Sequence, residues 1–135
     1  DMLLPAWARA ARRRHAVKCL SVRQPWATLL VSGVKTIETR TFKTNYRGLL
    51  GIHAGLQIDA YGPWQRFSNV FVPPTGALIG TVELYDCRPM RPDDAEAAAC
   101  PWREDLFAWI VTGATTFDPP IPMKGHLGIW ERTIL

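Results

Sequence analysis

Cysteine and histidine are scarce in this chain, and neither is clustered. Cys19, Cys87 and Cys100 are few, odd in number and far apart, which fits neither a disulfide framework nor a C-x-x-C metal site. They read as reduced thiols of a cytoplasmic protein. His15, His53 and His126 are equally scattered, so no metal ligand set is expected. No apolar run approaches the ~20 residues of a membrane span, so the chain reads as soluble, with no membrane partner. Neither a P-loop nor a G-x-G-x-x-G occurs, and no cofactor is expected. Net charge is also missing from most of the chain. The formal +4 resides in residues 1–18, where five basic side chains face Asp1 alone, while residues 19–135 balance eleven basic against eleven acidic groups. Global charge therefore gives no support for nucleic-acid binding, although a local patch can still provide it.

What is present is an ordinary globular composition, 47% hydrophobic and 21% charged, with eleven prolines and ten glycines that favour turns over long helices. Residues 1–16 form an Ala/Arg-rich basic extension, read as flexible and set aside from the fold. Residues 17–135 are read as one domain. Val17 to Val22 is a short strand. Pro25 suits the first turn of a helix, and Trp26, Leu29, Leu30 and Gly33 repeat at helical spacing until Ser32-Gly33 ends it. Strands are expected at Lys35–Phe42, Leu49–Ala54, Ala77–Arg88, Phe107–Val111 and Leu127–Arg132, with a bulge or close approach at Gly80. Residues 55–74 form a broken helix or loop pinned by Trp64, Phe67 and Phe71. Asp93-Asp94 caps a short helix that Pro101 stops, and residues 118–122 form a rigid proline loop. The fold class is α+β, a small, mainly antiparallel β-barrel of five or six strands with two or three short helices.

The chemistry concentrates in Gly33-Val34-Lys35-Thr36-Ile37-Glu38-Thr39-Arg40. Three charges of both signs within six positions mark either a solvated edge or a polar pocket, because charges removed from water must be paired. Regular strand alternation puts Thr36, Glu38 and Arg40 on one side and Lys35, Ile37 and Thr39 on the other. Lys35 joins the Glu38–Arg40 couple only if the chain turns just after Gly33. If the three converge, a partly desolvated Lys35 can act as a base or polarise a carbonyl, Glu38 can bind an exocyclic amine or shuttle a proton, and Arg40 can orient Glu38 or bind phosphate. The alternative is a structural ion-pair network.

Other candidates carry equally plain alternatives. Arg23 and Gln24 precede a helix N-terminus that favours anions, or they cap and pack it. His53 is a cleft-lining hydrogen bonder or a satisfied buried histidine. Glu83 faces solvent or the pocket, and Lys124 reaches a phosphate or sits on a solvated turn. Trp64 and Trp102 are candidates for stacking on a base, while Trp26, Trp109 and Trp130 follow the core periodicity.

Leu20-Ser21-Val22-Arg23-Gln24-Pro25-Trp26-Ala27, followed by Gly33-x-Lys35-x-x-Glu38-x-Arg40, Tyr46-Arg47-Gly48 and Ile52-His53-Ala54, resembles the ASCH domain family. The closing Pro120-Ile121-Pro122, Lys124-Gly125 and Leu127-Gly128-Ile129-Trp130 extend the resemblance to residues 18–131. It implies a PUA-like barrel with a helix beside a cleft, and recognition of RNA or a modified nucleoside. Some members resemble small enzymes, either amidohydrolases acting on N4-acetylcytidine or ribonucleases. In the amidohydrolase-like branch a lysine, a threonine three residues later and a distant glutamate carry the chemistry. The lysine matches Lys35, but Glu38 stands where the threonine would be, so that mechanism does not transfer intact. The resemblance implies RNA or nucleoside binding, and together with the residue readings above it gives Arg23, Gln24, Lys35, Glu38, Arg40, His53 and Lys124 as the candidate binding residues. Its alternative is a metal-independent hydrolase with Lys35 and Glu38 handling protons and Arg40 orienting them. A protein-interaction module and a monomeric state complete the expectations.

Overall fold

The computed structural model describes residues 5–7, 16–59 and 72–133. The expectations for most of the basic extension, for His15, and for Trp64, Phe67 and Phe71 lie outside the described residues. In chain order the elements are β1 (Ala16–Gln24), α1 (Trp26–Val31), β2 (Ile37–Arg40), β3 (Gly48–Ile58) and β4 (Ala77–Pro89), then a 3-10 turn (Pro92–Asp94), α2 (Ala95–Ala98), β5 (Phe107–Pro122) and β6 (Ile129–Thr133). Among the described residues no helix is long and apolar enough to cross a membrane.

The strands form one six-stranded sheet in the order β2-β5-β4-β3-β1-β6. The expected barrel is corrected on two counts. The sheet is open, with β2 and β6 as its edges, and it is mixed, because β1 and β3 run parallel while the other pairs are antiparallel. The parallel pair follows from the crossover: the chain leaves β1 through α1, lays β2 on the far side against β5, and re-enters beside β1 in the same direction. At one edge β2 has only four residues, and its outward Ile37 carbonyl is taken by the Lys35 side chain. On the other side, β6 pairs with β1 only as far as Leu20, so β1 is uncovered on that edge from Ser21 onward. The side chain of Arg40 spans the gap, donating from Nη2 to the Ser21 carbonyl at 2.9 Å.

Helix α1 buries Ala27, Leu30 and Val31 against the main core, which includes Leu20, Ile52, Val82 and Trp109. The helix is half a turn shorter than the periodicity suggested, and Trp26 is left half-buried at its start. Its stop is local chemistry. Gly33 adopts φ +81°, and its amide donates to the Leu30 carbonyl at 3.2 Å. A second cluster of Ile37, Met90, Ala98, Leu106 and Ala108 seats β2 and α2. Two expectations change in extent: the strand predicted from Lys35 is confined to residues 37–40, and the proline loop is the end of the long β5.

Gly80 lies where the β4 register shifts against both β3 and β5. A Cβ there would sit 2.1 Å from the Thr115 carbonyl oxygen and 2.9 Å from Val31 Cγ1, so the missing side chain lets α1 approach the sheet. Gly80→Ala should therefore cost at least about 1–3 kcal/mol. Chemical denaturation of the variant should show a lower midpoint, and an unchanged midpoint would contradict this packing.

Candidate functional site

The residues of the 33–40 segment meet at a cleft of about 500 Å³ between the uncovered end of β1 and the outer edge of β2. Ser21, Val22, Arg23 and Trp26 line one side, Thr39 and Arg40 the other, and Lys35 and Glu38 lie at its base beside α2. Lys35 precedes β2, so strand alternation does not govern it. The turn after Gly33 aims its side chain inward, where it is only 3% exposed. Its Nζ donates to the Ile37 carbonyl at 2.6 Å and to the Ala98 carbonyl, and lies 3.4 Å from Glu38 Oε1. Two hydrogen-bonded carbonyls and the Glu38 carboxylate thus surround the nitrogen. The same nitrogen stands 5.9 Å from the centre of the Trp26 ring, within cation–π range.

Glu38 is buried, and its second oxygen accepts from Arg40 Nη2 at 3.0 Å. One guanidinium nitrogen thus serves both Glu38 and the Ser21 carbonyl, so the couple is not bidentate. Lys35, Glu38 and Arg40 do share one site. Together with Arg23, the cleft lining carries three cations to one carboxylate among the described residues. Arg23 is largely exposed and reaches Asp59 at 3.5 Å, which leaves one net positive charge when Asp59 is included.

The other predicted residues are distributed differently. Gln24 is fully buried; its Nε2 donates to the Pro74 carbonyl at 2.8 Å and its Oε1 accepts from the Thr28 amide at 3.0 Å. It ties the start of α1 to the loop before β4, and no donor or acceptor pair of its amide points at the cleft. At the N-terminus of the six-residue α1, Gln24 takes one of the first-turn amides. His53 is buried beneath the 123–128 loop, with Nε2 at 2.8 Å from the Met123 carbonyl and Nδ1 at 3.1 Å from Ser21 Oγ. The carbonyl can only accept, so Nε2 carries the proton and Nδ1 accepts from the serine hydroxyl. Trp130 Nε1 donates to that same hydroxyl at 3.1 Å. This satisfied chain is a latch, and Gly125 fits over it because a Cβ there would lie 2.5 Å from Ser21 Oγ and 2.6 Å from the His53 ring. Lys124 is exposed on the latch loop and does not line the cleft. Glu83 faces solvent, and Trp102 donates its Nε1 to the Met90 carbonyl away from the cleft.

Four contributors, Trp26, Asp59, Ala99 and Cys100, were not among the expected site residues. Trp26 belongs to the cleft as well as the core, and Asp59, far along the chain, holds its indole N–H at 3.0 Å. Ala99 and Cys100 form a wall, with Cys100 Sγ 3.7 Å from Thr39 Oγ1. Ala99 ends α2 in the left-handed region at φ 55°, so the expected stop at Pro101 comes two residues early. The start of α2 is held by Asp94, which the sequence suggested only as a cap. Asp94 is clasped by both terminal nitrogens of Arg88, at 2.7 and 2.9 Å, and also accepts from the Arg91 amide at 2.8 Å. The Arg88 hydrogen bonds hold the Asp94 carboxyl below its ordinary range, against the opposing effect of burial. Elsewhere, burial pushes the Cys19 thiol up to about 11, which leaves it protonated and inert. Among the described residues no group of histidine, cysteine and acidic side chains could hold a metal ion.

A model of the ASCH domain family matches residues 20–121. Activating signal cointegrator 1 of Homo sapiens is 33% identical over 131 aligned residues, covering 84% of this chain and 22% of that protein. The Mus musculus protein of the same name is 32% identical over the same shares. The chain therefore spans 22% of the length of the curated relatives it matches. Among solved structures, ASCH from Zymomonas mobilis matches with a TM-score of 0.55 at 16% identity, over 78% of this chain and 72% of that one. A point variant of it matches at a TM-score of 0.52 and 16% identity, over 78% and 74%. At this identity they establish a shared fold.

Asp94 supplies a test of what supports the cleft. Asp94→Asn should destabilise the fold by about 1.5–3 kcal/mol at pH 7. A folded-state pKa below the ordinary value near 3.8 means that the unfolded chain takes up the proton first. The carboxylate's contribution is therefore complete at neutral pH and shrinks as the pH falls below about 4 towards the folded value. Denaturation curves of wild type and Asp94→Asn should differ at pH 7 and converge on acidification. A difference that grows instead would overturn the assignment.

Proposed function

The chain belongs to the ASCH domain family, and we propose that its cleft binds RNA or a modified nucleoside. The carrying observation is the convergence of Lys35, Glu38 and Arg40 beside the Trp26 indole in a cleft of about 500 Å³, a size suited to a small ligand. The local excess of positive charge suits phosphate, although the domain as a whole is balanced. Arg40 and exposed Arg23 retain donors for phosphate oxygens, and the lone pairs of Glu38 can take an exocyclic amine. The Trp26 ring offers an apolar surface at the same place. The buried ammonium of Lys35 sets the local field and holds the site's shape.

A second reading rests on one observation, the 3.4 Å separation of Lys35 and Glu38. It is a metal-independent hydrolase, acting on an N4-acylated cytidine or on RNA, with that pair moving protons. The three acceptors around Lys35 Nζ favour binding over catalysis.

Single-stranded RNA titrations at several salt concentrations test the first reading. Affinity should fall as salt rises, and Arg23→Ala should lower the log–log slope by about one. A chain lacking residues 1–15 should retain this behaviour, and its loss would assign the binding to the basic extension. Incubation with N4-acetylcytidine and with RNA, followed by chromatography, should show no turnover. Turnover abolished by Glu38→Gln would replace binding by hydrolysis.

A further inference from the structure

The outer edge of β2 holds a hydrogen-bonding pair that the fold leaves unused. Register pairs Ile37 with Ile110, which sets Thr36 opposite Val111, and the Val111 amide donates to the Thr36 carbonyl at 3.0 Å. In an antiparallel pair, alternate residues point their main-chain groups at the partner and those between point away. The Thr36 carbonyl, Glu38 and Arg40 therefore address β5, while Ile37 and Thr39 face outward, as does the Thr36 amide, which donates to the Ala97 carbonyl at 3.1 Å. The Ile37 carbonyl checks this independently, since it meets Lys35 Nζ on the outer side at 2.6 Å. Thr39 shares its direction and lines the cleft. Among the described residues the Thr39 main chain has no hydrogen-bond partner beyond the strand.

The N–H and C=O of one strand residue form an adjacent donor and acceptor. Two kinds of ligand read such a pair, an added strand or the edge of a flat heterocycle. An added strand needs several outward residues in succession. Here β2 has four residues, and of its two outward-facing ones the Ile37 carbonyl is already taken. The cleft around Thr39 instead presents cations for a phosphate and an indole for a ring. We propose that the Thr39 main chain reads the hydrogen-bonding edge of a nucleobase. Its N–H donates to a ring nitrogen or carbonyl, and its C=O accepts from the neighbouring N–H. This rests on the nucleic-acid reading above and adds the atoms that sense the base edge. Because all four bases carry an adjacent donor and acceptor, the site discriminates weakly among them and strongly against a base whose edge is blocked.

The test titrates the full chain, by NMR, with uridine 5′-monophosphate, its 3-methyl and 5-methyl forms, both uncharged at the base, and ribose 5-phosphate. A bidentate base contact is worth roughly five- to 150-fold. The 3-methyl nucleotide, whose edge is blocked, should bind weaker than its parent by that factor and approach ribose 5-phosphate. The 5-methyl nucleotide, altered off the edge, should bind like the parent. Thr39→Pro removes the outward N–H without removing a ladder bond, and should bring the parent down to the 3-methyl level. Equal binding of parent and 3-methyl forms, or full base preference in folded Thr39→Pro, overturns the proposal. If that variant does not fold, the methylation comparison on the unaltered chain decides. Nucleotide binding indifferent to methylation sinks only this inference. Absence of both nucleotide and RNA binding removes the nucleic-acid reading and this with it, as does an extended peptide binding at β2 in their place.

Discussion

The buried ammonium of Lys35 is the interaction on which the rest of this architecture depends. Taking a charge out of water costs several kcal/mol unless it is fully paired. Here the Ile37 carbonyl and Glu38, both on β2, and the Ala98 carbonyl at the end of α2 supply that pairing from two separate pieces of chain. The cation therefore fixes the start of β2 against the end of α2, just beyond the Gly33 turn. It also uses the outer face of β2 where another strand would pair, which helps keep the sheet open. The cleft is the space left by that incomplete closure.

Around this cation the charges are graded by depth. Glu38 is shared between Lys35 below and Arg40 above, and Arg40 crosses to β1 through the Ser21 carbonyl. Arg23 is the outermost, loosely paired with Asp59. The deep members are locked by hydrogen bonds and preserve shape, whereas the outer ones keep donors available. The Arg88–Asp94 clasp plays its part from behind, because it positions the short helix whose Ala98 carbonyl receives Lys35. The site is thus supported by contacts that never touch its ligand.

The segment from Gly33 to Arg40 stood out in the sequence because unlike charges cluster there, and the cluster does gather in one place. The alternation rule set Lys35 apart, since it assumed a strand where the chain is still turning from a helix. For His53 a satisfied buried histidine, and for Gln24 a capping and packing role, were among the readings open in the sequence, but the partners were not legible. Their partners, the Met123 and Pro74 carbonyls, are 70 and 50 residues away. Backbone acceptors carry no residue-type signal, so no pattern could have announced them. The role of Trp26 in the cleft was hidden similarly, because an aromatic at helical spacing reads as core.

Sequence by itself determined the local events: the helix stop at Ser32-Gly33, the strands on their hydrophobic patterns, the close approach at Gly80, and the charge-rich segment. Each depends on φ preference, side-chain period or composition, which act over a few residues. Tertiary structure decided that the sheet stays open, that β1 and β3 run parallel, and that Lys35 turns inward to join Glu38 and Arg40. These depend on which distant carbonyls and strand edges meet. The free edge at Thr39 belongs with them, since the direction of a main-chain group is set by strand register and not by the residue that carries it.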